Sequence, residues 1–343
     1  MRDRRHWVAL VWAASALALA GCQPTSEVRS GLLLQGFDTL AYPDQEVMLT
    51  ARLQGGDYLK GMEGYLIGFY ESNLRIGGVR TDDEGLAEIA FKPQGEGNHV
   101  ILARLEDPDV RKYAVPAVEI VVAAWPREKA MAVVDLDRTV VQSGFAEVMA
   151  GRAEPMDHSQ QVLHRLTRDR TVIYLTHRPD MFTEQSKQWL RKYDYPLGPL
   201  LVSTLSEFIK GSREFKNARV HALKQSFPGI TLGIGDKVSD AEVYLDNQMR
   251  AVLIIHPDDM PTAEVVRIWI QRLRRLPEKV DVVDNWLQVE EVLFQEKRYP
   301  PSQAIERLSQ LANQRAQEAA AAMTQNGNGG GASSGNGSGE AKP

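Results

Sequence analysis

The sequence predicts a small all-β sandwich followed by an α/β domain built on a doubly wound parallel sheet. Three observations lead there. From residue 47 to 123 short apolar strands recur between Gly- and Asp-rich turns, with no helical period. From Met131 onward apolar runs alternate with amphipathic stretches, the signature of parallel strands covered by helices. Three of those runs stop abruptly at polar residues: Asp135 and Asp137, then Thr176, then Asp236 and Asp240. In open α/β sheets the reacting groups sit just past the carboxyl ends of the strands.

The bulk properties are those of an ordinary globular protein. Of 343 residues 43% are apolar and 25% charged, which is enough for two domains with proper cores. A net charge of −5 leaves no basic footprint, so nucleic acid is not an expected partner. The sole cysteine, Cys22, excludes an intramolecular disulfide.

Residues 1–21 have the shape of a secretory signal peptide: Arg2, Arg4 and Arg5 precede an apolar run from Trp7 to Ala20 that is short for a membrane span. Its removal takes away a charge of +2. The segment ends in Leu19-Ala20-Gly21-Cys22, which resembles the bacterial lipobox. That resemblance implies acylation of Cys22, with residues 22–30 as a tether and the chain anchored at a membrane of the cell envelope. Several fatty chains on one N-terminus hold firmly where a single chain binds only marginally. Gln23, in place of Asp, implies by the same sorting rule the periplasmic face of the outer membrane.

Within residues 31–125 the expected strands are Val47–Leu53, Gly64–Tyr70, Leu86–Phe91, Val100–Leu105 and Val118–Ala123. Their spacing suggests about one immunoglobulin-like unit, and Thr81-Asp82-Asp83-Glu84-Gly85-Leu86-Ala87 resembles a hairpin of bacterial Ig-like modules. No cluster of chemistry-bearing residues stands out here. A spacer, a platform or a module for an unknown protein partner are the readings available.

Residues 126–297 carry the chemistry. The strands expected are Met131–Val134, Thr171–Leu175, Pro199–Ser203, Ile230–Ile234 and Ala251–Ile255, with helices at Ser159–Arg168, Glu184–Tyr193 and Phe215–Ser226. In an extended segment residues i and i+2 point the same way, so Asp135 and Asp137 can share one crevice. Two like charges held together need a cation, a shared proton or a division of roles. A strand followed by an acidic, helix-capping turn is the plain alternative for this stretch alone.

The whole set changes that balance. Asp135-Leu136-Asp137-Arg138-Thr139, then Thr176, then Lys216, then Gly235-Asp236 with Asp240 resembles the haloacid dehalogenase (HAD) superfamily, whose phosphatases use a Rossmann-like domain. The resemblance implies Asp135 as nucleophile, Asp137 as general acid and then base, and Mg²⁺ as cofactor. The ion would be held by Asp135, the Asp137 carbonyl, Asp236 and, directly or through water, Asp240. Thr176 would bind phosphoryl oxygens and Lys216 neutralise charge, while Thr139, Arg138 and Arg178 would lie on the substrate side. Within the superfamily, Tyr174-Leu175-Thr176-His177-Arg178-Pro179, Gly198-Pro199-Leu200-Leu201-Val202-Ser203 and Glu214-Phe215-Lys216 resemble the lipin-type (LNS2-like) phosphatidate phosphatases. This covers most of residues 130–256. Two positions depart from that family: Arg138 replaces its usual Gly and Asp236 its Asn.

The stretch between Asp137 and the second strand leaves room for a helix and a loop but no large cap domain, and an open site suits a substrate presented by a surface. The expected function is therefore hydrolysis of a phosphomonoester, phosphatidate or a related phospholipid, at the membrane to which the chain is tethered. The alternatives are a soluble periplasmic phosphomonoester, or phosphatidate binding without catalysis, which would need neither Asp135 nor Asp137. Lys210 competes with Lys216 for the lysine role, and His177 and His256 are further polar groups near strand ends. The basic helix Ala263–Leu276 reads as a sheet-covering helix with a solvated basic face, or as one that touches anionic lipid, and a tail of polar helix then Gly/Ser/Asn-rich sequence over 298–343 carries no expected chemistry.

Overall fold

A computed structural model describes residues 31–56, 58–107, 115–144, 147–148 and 150–328. The expected signal peptide, Cys22, the expected tether and the end of the tail lie outside the described residues. No helix among the described residues is long and apolar enough to cross a membrane.

The N-terminal unit contains nine strands among the described residues: β1 (Leu32–Phe37), β2 (Thr39–Ala41), β3 (Val47–Gly55), β4 (Lys60–Gly61), β5 (Leu66–Glu71), β6 (Leu74–Arg80), β7 (Leu86–Phe91), β8 (Gly97–Leu105) and β9 (Val118–Ala124). They form two sheets, β1, β3, β4 and β7 against β2-β9-β8-β5-β6. Alternate side chains fill the space between them, with Leu49, Ala51 and Leu53 from one sheet and Ile67, Phe69, Ile101, Ala103, Ile120 and Val122 from the other. The five expected strands are present. The other four lacked a readable pattern: β2 and β4 are very short, β6 has two adjacent glycines, and β1 has a buried glutamine, Gln35. At Asp38 the chain leaves the first sheet and enters the second, where β2 pairs in parallel with β9.

The second unit is a six-stranded, all-parallel sheet in the order β12-β11-β10-β13-β14-β15. Its strands are β10 (Met131–Val134), β11 (Thr171–Pro179), β12 (Leu200–Ser203), β13 (Ile230–Gly235), β14 (Arg250–Ile254) and β15 (Asp281–Val283). The helices are α1 (Ser159–Leu166), α2 (Thr183–Lys192), α3 (Leu205–Lys210), α4 (Ser212–Ser226), α5 (Val238–Asp246), α6 (Ala263–Leu273), α7 (Trp286–Phe294) and α8 (Pro301–Asn328). Period-two alternation divides the strands between two cores. Met131 and Val133 face a layer containing Phe215, Val243, Val266 and Leu308, while Ala132 and Val134 face Val162, Trp189 and Trp286. Strand order reverses between β10 and β13, so the crevice at their carboxyl ends is the switch point of the sheet.

Three features extend the sequence reading. The three-residue β15 adds a sixth strand. Helix α3 precedes α4 and is closed by a reciprocal Thr204–Glu207 cap. Ala304, Leu308 and Ala312 of α8 are buried in the same core as α6, so the α/β unit continues past residue 297 into what composition alone marked as tail. Both outer strands have an edge N–H satisfied from elsewhere in the chain. Val282 donates to the Tyr299 carbonyl at 2.7 Å, and Leu200 donates to Asp38 Oδ2 of the β domain at 2.8 Å.

Candidate active site

Strand β10 hands its ladder on to Asp135, whose N–H donates to the Ile234 carbonyl of β13 at 3.0 Å. The chain then turns sharply. The Leu136 carbonyl accepts from the N–H groups of Thr139, Val140 and Val141, and Arg138 takes a φ of 58°. That left-handed conformation favours glycine, the residue usual here in the resembling family. Distant side chains pin the turn. Trp286 Nε1 donates to the Thr139 carbonyl at 2.7 Å, Tyr195 Oη to Val140 O at 2.9 Å, and His256 Nε2 bonds Arg138 O at 2.7 Å. A carbonyl only accepts, so Nε2 carries the proton of His256, and burial lowers that imidazole's pKa.

The residues expected to meet do so at this point. One carboxylate oxygen each from Asp135, Asp236 and Asp240 lies within 4.8 Å of the others. Asp236 follows β13 directly, and Asp240 lies in the first turn of α5. Gly235 permits the approach, since a Cβ there would stand 2.7 Å from Asp240 Oδ2. Lys216, fully buried on α4, places Nζ 3.1 Å from Asp135 Oδ1 and 2.8 Å from Asp240 Oδ1. Lys210 is exposed at the end of α3, so geometry selects Lys216.

Three buried carboxylates face one ammonium. Burial pushes the Asp135 carboxyl up, with Lys216 pulling against it and Asp240 adding to it. Burial, then Asp135 and Asp240, push Asp236 up to about 8. For Lys216 burial works downward, but Asp135 and Asp240 outweigh it and hold the ammonium well above its usual range. Asp236 Oδ1 is buried with no hydrogen-bond partner. An all-oxygen donor set with surplus negative charge and an orphaned carboxylate oxygen fits a hard divalent cation such as Mg²⁺.

Asp137 points elsewhere. Its carboxylate is gripped bidentately by Arg178, Nε to Oδ2 at 3.0 Å and Nη2 to Oδ1 at 2.7 Å. Arg178 is buried, and its third arm, Nη1, donates to Ser186 Oγ of α2 at 2.8 Å. This corrects the expectation for Arg178: a guanidinium enclosed behind Asp137 orients that carboxylate and is not a substrate-facing group. The side chain of Asp137 also lies outside the carboxylate triad, which leaves only its carbonyl for the metal role. Arg138 pairs with Asp259 in the turn after β14, so its charge is engaged at the rim. Thr139 is wholly buried within the turn, its hydroxyl unpartnered. Thr176, also buried, sits beyond the apolar part of β11 and accepts from the Arg178 N–H at 3.3 Å.

Other contributors escaped the sequence reading. Phe208 of α3 stacks on the His177 ring at a centroid distance of 4.8 Å, and burial, then Glu207 against it and Lys216 with it, leave that imidazole's pKa lowered. Lys237 is exposed beside the triad and draws the pKa values of Asp135 and Asp236 downward, against burial. Trp286, Ser186 and Asp259 act from elements far away in sequence, and only Lys237, inside Gly235-Asp236-Lys237-Val238-Ser239-Asp240, carried a local signal. Among the described residues no separate cap domain stands between Asp137 and α1.

No family model matches the chain, and no curated protein does. Among solved structures, the D0-D1 domain of intimin is 21% identical over 27% of this chain and 46% of its own, with a TM-score of 0.21. Fibronectin(III)-like modules of Clostridium thermocellum CbhA are 20% identical over 29% of this chain and 48% of theirs, with a TM-score of 0.20. A ferredoxin-NADP+ reductase from Plasmodium falciparum is 9% identical over 62% of this chain and 88% of its own, with a TM-score of 0.19. The chain thus spans about half the length of the first two. Likeness at these scores carries no argument about fold or activity.

Proposed function

We propose that this chain is a Mg²⁺-dependent phosphomonoester hydrolase of the HAD type, acting on phosphatidate or a related phospholipid at a membrane to which Cys22 tethers it. The observation that carries the reading is the buried group of Asp135, Asp236, Asp240 and Lys216 at the switch point, with Asp137 oriented beside it by Arg178. In the first step an Asp135 carboxylate oxygen forms a bond to phosphorus as the bond to the leaving oxygen breaks, and Asp137 gives that oxygen a proton. In the second, a water oxygen attacks phosphorus and passes its proton to Asp137, and the bond to Asp135 breaks to release phosphate. Each Asp137 oxygen keeps a lone-pair direction beside its bond to Arg178, so the grip fixes orientation without using up the group. Lys216 holds Asp135 in place and offsets charge. Asp135, Asp236, Asp240 and the Asp137 carbonyl would hold the Mg²⁺. The ion, when bound, would polarise a phosphoryl oxygen and let a dianionic substrate enter beside three carboxylates.

The lack of a separate cap domain among the described residues between Asp137 and α1, and the lipobox resemblance at Cys22, support a substrate in a bilayer. The test is phosphate release from an aryl phosphate and from phosphatidate vesicles, with and without Mg²⁺, by the wild type and Asp135→Asn. Release by the wild type that needs Mg²⁺ is expected. Loss of the nucleophile should reduce it by about 10⁴-fold or more. Vesicle binding without release from either substrate would favour a phosphatidate-binding module and end the enzyme reading. Release from the aryl phosphate alone would favour a soluble substrate.

A further inference from the structure

The β domain reaches the acid–base aspartate through a short chain of buried contacts. Arg178, which grips Asp137, lies between two anchors that end on the β domain. The first runs through α2. Ser186 accepts from Arg178 Nη1, and the next residue, Lys187, is buried against the β domain. Its Nζ donates to Gly36 O at 2.9 Å, Asp38 Oδ1 at 2.7 Å and Glu119 O at 2.6 Å. One turn earlier, Glu184 Oε1 accepts from the Gly36 N–H at 3.3 Å. The second anchor is the segment just past Arg178. Gln35 Nε2 donates to the Asp180 carbonyl, and Arg52 Nη1 pairs with the Asp180 carboxylate at 3.6 Å. A module serving as a spacer needs none of this, and a buried ion pair is costly unless every partner is placed.

Resting on the phosphatase reading above, the geometry points to the β domain as a positioning element of the catalytic site, with Asp38–Lys187 and Arg52–Asp180 fixing α2 and the 178–180 segment so that Arg178 presents Asp137 to the leaving oxygen. Asp38 suits this by its place at the sheet switch. It also accepts from Val121 N at 2.8 Å and from Leu200 N of β12, so one carboxylate ties together β9, α2 and the edge of the parallel sheet. Lys187 and Asp38 touch no reacting atom. They act through Arg178.

A positioning role predicts a selective defect. An alkyl phosphate, whose alkoxide leaves badly, needs the Asp137 proton during phosphoryl transfer, while an aryl phosphate with an acidic phenol does not. In kcat/KM, which reports the steps through that transfer, the full-length pair variant Asp38→Asn with Lys187→Met should lose about 10-fold on the alkyl phosphate, part of the roughly 10²–10⁴ a general acid supplies. It should stay within about 2-fold on the aryl phosphate, which needs little of that help. Arg52→Ala, at a partly exposed contact, should show the same selectivity to a smaller degree and carries the test if the pair variant does not fold. Arg75→Ala, which breaks a pair with Glu106 inside the β domain, should leave the alkyl-to-aryl ratio unchanged. An equal fall on both substrates, or an unchanged ratio in the variants that fold, overturns the inference while the phosphatase reading stands. A wild type inactive on both substrates overturns both.

Discussion

Two buried lysines define two kinds of interior in this molecule. Lys187, between the domains, meets one carboxylate and two carbonyls, and its partner Asp38 accepts from Lys187, Val121 and Leu200. The hydrogen bonds of that pair are complete. Lys216, at the crevice, lies between Asp135 and Asp240 while Asp236 stands beside them with an unpartnered oxygen. Charge does not balance, and the donor set is incomplete. A satisfied polar cluster holds a structure together, whereas an unsatisfied one at a strand terminus is built to receive something. The difference lies in which oxygens are left over.

The contrast can be broken most forcefully at Lys216. Lys216→Met should abolish phosphate release and, by leaving buried carboxylates without their ammonium, destabilise the metal-free chain by about 3–5 kcal/mol in denaturant unfolding. Saturating Mg²⁺ should restore part of that stability, by about 2.7 kcal/mol at a hundred times its Kd. Stability regained without the ion would mean that the carboxylates do not need a cation.

Next in size is a pH effect whose Mg²⁺-dependent part belongs to the carboxylate site, since burial also raises Asp38, Asp180 and Glu184 between the domains. Folding raises Asp236 from 3.8 to about 8, so between those values the folded chain binds a proton that the unfolded chain releases. Its contribution is complete below the lower value and is lost as pH rises through the higher one. The metal-free protein should therefore melt at a lower temperature at about pH 8.5 than at about pH 5.5, apart from the other groups that titrate there. Mg²⁺ should reduce that loss and bind more tightly as pH rises, because it competes with the proton. Asp236→Asn should abolish the Mg²⁺-dependent part of the difference in a thermal scan. The Lys187–Asp38 pair, whose hydrogen bonds are complete, should contribute no Mg²⁺ dependence.

The smallest expected effect is at Arg138. Arg138→Gly relieves a left-handed residue at a cost of about 1–2 kcal/mol, partly cancelled by the freer unfolded chain and by loss of the Asp259 pair. A net change within about 1 kcal/mol, with Mg²⁺ affinity unchanged, is the expected result of calorimetry and titration.

What could be read from the sequence follows the same division. Asp135, Thr176, Asp236 and Asp240 were legible because each follows an apolar run or opens a helix at a fixed spacing, and Lys216 because it lies near the start of a helix, although that helix begins at Ser212 and not at Phe215. The parallel sheet was legible because strands buried on both faces leave continuous apolar runs. Arg178 was found but misassigned: nothing local distinguishes a guanidinium that faces a ligand from one that faces Asp137. Trp286, Ser186 and Asp38 were invisible for the same reason, since each acts across a large sequence separation. Strand β1 was missed because Gln35 breaks its pattern, and Gln35 is polar because it reaches the Asp180 carbonyl in the other domain.

The bond from Leu200 to Asp38 has a consequence for how the molecule fails. Leu200-Leu201-Val202 forms an apolar outer strand, and its open side is closed off in part by a carboxylate that belongs to the other domain. If the sandwich lifts away, even briefly, that side becomes a template to which any extended chain can add. The first casualty of partial opening would then be solubility, with self-association setting in while the parallel sheet itself is still intact.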